Sequence, residues 1–249
     1  MKFIIDFKKY IIYGIFKLRY LNYALNTHKQ NINKNLLIEI DKLDKITSMK
    51  LDSILNDMCK GYVKLNNNLL YFMPIAVIDI RKGYESYLKS LSSNGRSKIK
   101  RAKKKGVECK LFEWNNHLDD IYEIHTSSDS RQGKKMEDEY LTYPKKIDIA
   151  TTDSFKNIYV GAFLENKLVG YIELYIYSNF AMTNRLLGHK KFLNRYVMNA
   201  LFAYAVEFLE DQNIEYLNYL TMHNIKKKTL SQFKKRLGFS EFSLKKINI

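Results

Sequence analysis

The period of the apolar positions divides the chain near residue 68. Before that point it is helical. Phe3, Ile4, Phe7, Ile11, Ile12, Ile15, Phe16 and Leu18 alternate with Lys2, Lys8, Lys9, Lys17 and Arg19, and further periodic stretches cover residues 36–43 and 49–58. Asn66-Asn67-Asn68 interrupts the pattern. Beyond it, strand-like and helix-like stretches follow one another. The spacing predicts a buried strand over 69–80, with Pro74 at an edge or bulge, then a helix over 84–91. A cationic helix over 92–106 buries only a narrow stripe at Ile99 and Ala102, and Gly106 closes it. A strand over 107–114 leads to a short helix over 118–127 with Leu118, Ile121, Tyr122 and Ile124 apolar, then a polar loop over 127–133.

From residue 157 the order of elements becomes distinctive. Two strands surround a Glu165-Asn166-Lys167 turn, and a third covers 180–187. A basic loop over 188–194 feeds a helix over 195–210, with Asn194 as its N-cap and Val197, Leu201, Ala205 and Phe208 as its apolar stripe. A strand over 214–221 and a helix over 225–237, with Leu230, Phe233 and Leu237 inward, complete the run. The expected organisation is a helical, basic N-terminal segment (1–68) followed by an α/β (α+β) domain (69–249).

At 249 residues such a domain can bury a substantial core, and a hydrophobic content of 46% excludes general disorder. With 42 basic against 26 acidic residues the net charge is +16. This charge is either a compositional bias of a Lys- and Asn-rich chain or an adaptation to a polyanion: RNA, a phosphate-bearing acyl donor or an anionic membrane surface. Cys59 and Cys109 form no C-x-x-C pair and read as reduced thiols of a cytoplasmic protein. Charges every few residues prevent the N-terminal stretch from spanning a membrane. As an amphipathic helix it either lies peripherally at the inner membrane surface or packs on the protein or a partner.

Candidate chemistry sits in the last third. At period two, Tyr171, Glu173, Tyr175 and Tyr177 share one strand face, and Ile172, Leu174 and Ile176 share the other. A single carboxylate among phenols is suited to accept a proton from an amine, although an inter-strand polar face fits the same pattern. A basic loop running into a helix N-terminus offers free N–H groups and a favourable dipole to an anion.

The hairpin Asn166-Lys-Leu-Val-Gly-Tyr-Ile-Glu-Leu174, the loop-to-helix crossover and the closing Phe233-Lys-Lys-Arg-Leu-Gly-Phe239 resemble the Gcn5-related N-acetyltransferase (GNAT) fold. Residues 91–107 are similar to a segment of the FemAB-like branch, including BioF2-like acyltransferases. The resemblance implies a mixed, splayed central sheet flanked by helices, with the donor's pantetheine arm in the gap. It places the donor's pyrophosphate on Gly188, His189, Lys190, Lys191, Asn194 and Arg195. It further implies amine attack on an acyl group, with Glu173 as base, directly or through water, and Tyr175 nearby. His223 or Asn224 would protonate the leaving group, and Asp129 and Arg131 would grip the acceptor. The co-substrate would be an acyl-CoA, acetyl-CoA in the first instance, with no metal, and the acceptor an amine on a small molecule or glycan such as a cell-envelope sugar or peptidoglycan precursor. The loop departs from the family's Arg/Gln-x-x-Gly-x-Gly/Ala pattern by lacking the second glycine, which leaves room for an aminoacyl-tRNA donor. A non-catalytic module binding RNA or a membrane surface is the remaining alternative.

Overall fold

The computed structural model describes residues 35–36, 43–59, 62–65, 68–71, 74–131, 134–148, 151–222 and 228–247. The elements, in chain order, are β1 (Asn35–Leu36), α1 (Lys45–Cys59), β2 (Tyr62–Leu65), β3 (Asn68–Tyr71), β4 (Ile75–Asp79), α2 (Tyr84–Ser90), α3 (Ser93–Lys104), β5 (Glu108–Leu111), α4 (Leu118–Thr126), β6 (Ser130–Arg131), β7 (Lys134–Lys135), α5 (Asp138–Leu141), β8 (Phe155–Leu164), β9 (Lys167–Tyr177), β10 (Phe180–Gly188), α6 (Val197–Asp211), β11 (Tyr216–Thr221), α7 (Lys228–Arg236) and β12 (Ser240–Ile247). Single 3-10 turns cover Trp114–Asn116 and Lys190–Arg195.

One mixed sheet carries the fold, in the order β2-β3-β12-β4-β11-β10-β9-β8-β5, with β1 parallel to β12. Towards its β5 edge, β8 and β9 are joined by Glu165 and Asn166, both with positive φ (50° and 66°), the backbone twist a tight hairpin requires. The two faces divide as the period-two reading requires. Ile172, Leu174 and Ile176 join the core formed with α6, α2 and α3, through Val197, Leu201, Val206, Tyr87 and Ala102. On the opposite face, α1 packs Leu51 and Leu55 with Tyr177, Phe180 and Met182, and α4 packs Ile121 and Ile124 with Tyr159 and Tyr171. A helix-sheet-helix sandwich results. Among the described residues, no helix is long and apolar enough to cross a membrane.

Helix α3 forms as its sequence predicts. The Ser92 hydroxyl accepts from Gly95 N at 3.1 Å at its start, and Gly106 (φ 79°) turns the chain at its end, where Val107 N donates to Ala102 O.

Several expectations need correction. Within residues 1–68 the described part is helical only in α1, because Tyr62-Val-Lys-Leu65 has period two and forms a hairpin with β3 across the expected boundary. Pro74 does not sit within one strand over 69–80 but separates β3 from β4. The helix expected from Arg195 starts at Val197. A 3-10 turn precedes it, and Tyr196, in the left-handed region at φ 63°, stands at the N-cap in place of Asn194. Strand β12, paired with β3 and β4, was not anticipated. The amphipathic stretch over residues 2–19 lies outside the described residues.

Gly170 and Gly188 are paired across β9 and β10 where α6 crosses the sheet. A Cβ on Gly170 would lie 2.7 Å from Val197 Cγ1 and 3.1 Å from the Leu187 carbonyl oxygen. Gly170→Ala is therefore expected to destabilise the fold by about 1–3 kcal/mol through overpacking, read as a lower urea midpoint with an unchanged slope.

Candidate active site

The sheet opens in its middle. Parallel strands β10 and β11 pair from Phe180↔Tyr216 to Met182↔Asn218, and no pairing between them continues beyond that point. The gap holds a cavity of about 690 Å³. Leu186, Leu187 and Gly188 of β10 line one side and Tyr219 of β11 the other. Lys190, Leu193 and Met198 close one end, Phe233 of α7 another, and Ser127 to Arg131 form a rim. The groove is mostly apolar, and Lys190 and Arg131 are the cationic side chains among its lining.

Of the residues proposed for the donor, Gly188 and Lys190 line this groove. The loop itself is internally bonded. Lys190 N donates to Ser127 Oγ at 3.0 Å, Lys191 N to His189 Nδ1 at 3.2 Å, and Phe192 N to His189 O. Burial lowers the His189 pKa, which keeps its ring available as this acceptor. Asn194 and Arg195 face α3 instead: Lys105 Nζ donates to Asn194 O at 3.3 Å, and Arg195 Nη1 to Lys105 O at 3.4 Å. The cationic helix thus lies against the crossover loop. Tyr196 there has its pKa lowered by a hydrogen bond from Arg101, helped by the charges of Lys105 and Lys98.

Glu173 and Tyr175 are brought together, on the sheet face that α1 and α4 cover. The Glu173 carboxylate, 3% exposed, accepts from the Tyr159 hydroxyl (2.8 Å), Asn157 Nδ2 (3.1 Å) and Asn184 Nδ2 (2.7 Å), and lies 3.5 Å from Arg185 Nε. Asn184 also donates to the Tyr175 hydroxyl at 2.9 Å. A bulge makes this cluster: β10 shifts register against β9 between Thr183 and Arg185, so Asn184 is an extra residue and Arg185 faces Glu173. Neither Glu173 nor Tyr175 lines the groove. Arg131 does, and its guanidinium donates to the Leu186 carbonyl oxygen. The Asp129 carbonyl accepts from Met136 N at 3.0 Å, closing the β6–β7 hairpin. His223 and Asn224 lie outside the described residues.

Two groups escaped the sequence reading. His125 of α4 is 4% exposed and lines the groove; its Nε2 lies 2.7 Å from the Tyr171 hydroxyl, and its Nδ1 is buried without a partner among the described residues. Burial, with Arg185 and Arg131 nearby, pushes its pKa down to about 4. Its position completes the stripe of Leu118, Ile121 and Tyr122, which is the signal that was available. Lys234 of α7 is 2% exposed and donates to Tyr219 O (2.8 Å) and Thr221 O (2.7 Å); burial lowers its pKa to about 8. No cluster of three or more metal-binding side chains occurs among the described residues.

A family model described as the acetyltransferase (GNAT) family matches residues 118–239, the span from α4 to the start of β12. The chain carries a GNAT domain. Among solved structures, FemX is similar over 80% of this chain and 68% of its own, at 11% identity and a TM-score of 0.54. L-PGS from Bacillus licheniformis is similar over 68% of this chain and 49% of its own (15% identity, TM-score 0.40). The PaiA N-acetyltransferase from Thermoplasma acidophilum, solved with coenzyme A, is similar over 57% of this chain and 98% of its own (18% identity, TM-score 0.38). At 11% identity the likeness to FemX is one of fold alone. No curated protein matches the chain by sequence.

The His125 environment sets a pH dependence. Above the ordinary value of 6.5 the imidazole is neutral in both the folded and unfolded chain; as pH falls from 6.5 towards 4, the unfolded chain takes up the proton first. Stability is therefore lost over that window. In His125→Gln this part of the slope should vanish, as measured by urea midpoints at pH 7 and pH 5.

Proposed function

We propose that the GNAT domain is an N-acyltransferase, and that the groove between β10 and β11 holds an acyl-CoA donor. The observation carrying this reading is the parting of the two strands after Met182 and Asn218, which leaves an apolar slot of about 690 Å³ with Lys190 at its end. In such a slot the thioester is held away from water while the amine approaches, so much of the rate comes from positioning. Lys190, Arg195 and Lys105 supply charge for the donor's phosphates, and Gly188 keeps the strand end close to α6. Proton removal from the amine falls to the polar groups on the groove's α4 side or, through water, to Glu173. The acceptor is an amine on a small molecule or on an envelope glycan or peptidoglycan precursor.

A second reading, an aminoacyl-tRNA donor as in FemAB enzymes, is favoured by one observation. The N–H groups of Lys190, Lys191 and Phe192 are already bonded within the protein, which leaves fewer of them for a pyrophosphate. Lys98, Arg101 and Lys105 flank the same loop and suit a longer polyanion.

Calorimetry with CoA and with unacylated tRNA separates the two readings. On the first, CoA binds, and Lys190→Glu with Arg195→Glu weakens it about tenfold or more, the loss of a charge-assisted hydrogen bond. On the second, only tRNA binds, with steep salt dependence that Arg101→Glu reduces. Release of free thiol from acetyl-CoA in the presence of an amine checks the chemistry. Neither ligand binding would overturn both readings.

A further inference from the structure

A second cavity lies on the other side of His125. It has about 330 Å³ and is lined by Trp114, His125, Tyr140, Tyr143, Lys145 and Arg185, among others, under the segment that follows α5. His125 belongs to the walls of both this cavity and the donor groove, so the two spaces meet across one imidazole.

The cavity is built rather than incidental. Its outer wall is pinned to the body at three places: Trp114 Nε1 donates to Lys145 O at 3.0 Å, Asn115 exchanges two 2.9 Å hydrogen bonds with the backbone of Ile147, and the Tyr143 hydroxyl donates to Asp119 at 2.7 Å. Its floor holds Arg185, placed on this face by the Asn184 bulge. Arg185 Nε lies near Glu173 and its guanidinium 5.9 Å from the Trp114 ring centroid. Its Nη groups have no acceptor among the described residues. His125 Nδ1 is likewise buried and unpartnered, a state that costs about 1–3 kcal/mol unless a ligand satisfies it.

We infer that this cavity is the acceptor subsite, and that it takes an amine carrying a carboxylate, as in an amino acid or the end of a peptide, with the carboxylate on Arg185 and the amine presented towards His125. The inference rests on the acyl-transfer reading above. Arg185 offers the planar fork that a carboxylate pairs with, Lys145 adds charge, and Trp114, Tyr140 and Tyr143 supply flat walls for a side chain. The volume sits at the low end of ligand sites, about 300–1,000 Å³, and suits one residue rather than a whole glycan. Neutral His125 has one ring nitrogen with a lone pair, which accepts the proton of the attacking amine. The amine nitrogen forms the new bond to the acyl carbon, the bond to the donor's sulfur or oxygen breaks, and that leaving atom takes up the proton held on His125, which returns the ring to its neutral form. Glu139, Tyr140, Tyr171, Arg131 and Arg185 are the charged or titratable groups around the ring.

The protein's single tryptophan lines this cavity, so its fluorescence reads occupancy without any turnover. The probes are L-phenylalanine and 2-phenylethylamine, which differ only by the carboxylate. Saturable change in emission with L-phenylalanine, at least about tenfold weaker with 2-phenylethylamine and with Arg185→Ala, is the expected result, a charge-assisted contact being worth about that factor. Because Arg185→Ala also removes a neighbour of Glu173, Thr142→Phe, which fills the mouth from an exposed position, is measured alongside and should abolish the response. Equal response to the two amines, or none to either, overturns the inference. A response here without CoA or tRNA binding in the groove upholds the cavity and sinks the acyl-transfer reading, whereas groove binding without a response sinks the cavity alone.

Discussion

Parallel strands β10 and β11 exchange hydrogen bonds only as far as Met182 and Asn218, and much of the remaining structure deals with that parting. Backbone carbonyls at the opening need partners, because an unpaired one in a buried place costs about as much as a lost hydrogen bond. Cationic and amide side chains supply them. Lys234 caps Tyr219 O and Thr221 O, Arg131 caps Leu186 O, and the Asn218 amide spans Ala76 O and Leu220 O. Leu220, forced to φ 54° at the β11 irregularity, donates its N–H back to Asn218 Oδ1. A buried lysine without a carboxylate partner among the described residues is thus explained: it replaces the strand that moved away, at the cost of the desolvation that lowers its pKa.

A second irregularity has the opposite effect on its surroundings. The one-residue bulge at Asn184 resets the alternation of β10, so that Arg185 and Leu187 fall on the α4 face while Leu186 stays with the α6 core. Without it Arg185 would point to the α6 side, into an apolar core where a cation has no partner of opposite charge. The bulge therefore places both the charge beside Glu173 and the floor of the second cavity. The two spaces on either side of His125 depend on these two departures from regular pairing.

Much of the fold was legible in the sequence, because hydrophobic period reports which face of an element is buried. The faces of β9 followed from it, the hairpin at Glu165-Asn166 and the Gly106 cap followed from the turn-forming residues there, and the GNAT-like order of elements was a family resemblance. The 3-10 turn before α6 was not legible. Lys190 to Arg195 has no periodic signature, and its shape depends on Ser127 and Lys105, which are distant in sequence. Nor was the site centred on His125, which in the sequence is one more member of an apolar stripe.

Local pattern by itself determined most of the strands and helices beyond residue 75, β12 excepted, together with the buried faces of β9 and the cationic character of the crossover loop, since each depends on neighbours within a few residues. Only the tertiary structure decided which polar groups meet. The ends of β10 and β11 part, the bulge turns Arg185, and His125 comes between two cavities through contacts that join α4 to β9 across 46 positions and β6 to β10 across 55. Charge and hydrogen-bond chemistry act over a few ångströms in space, a distance that sequence spacing does not encode.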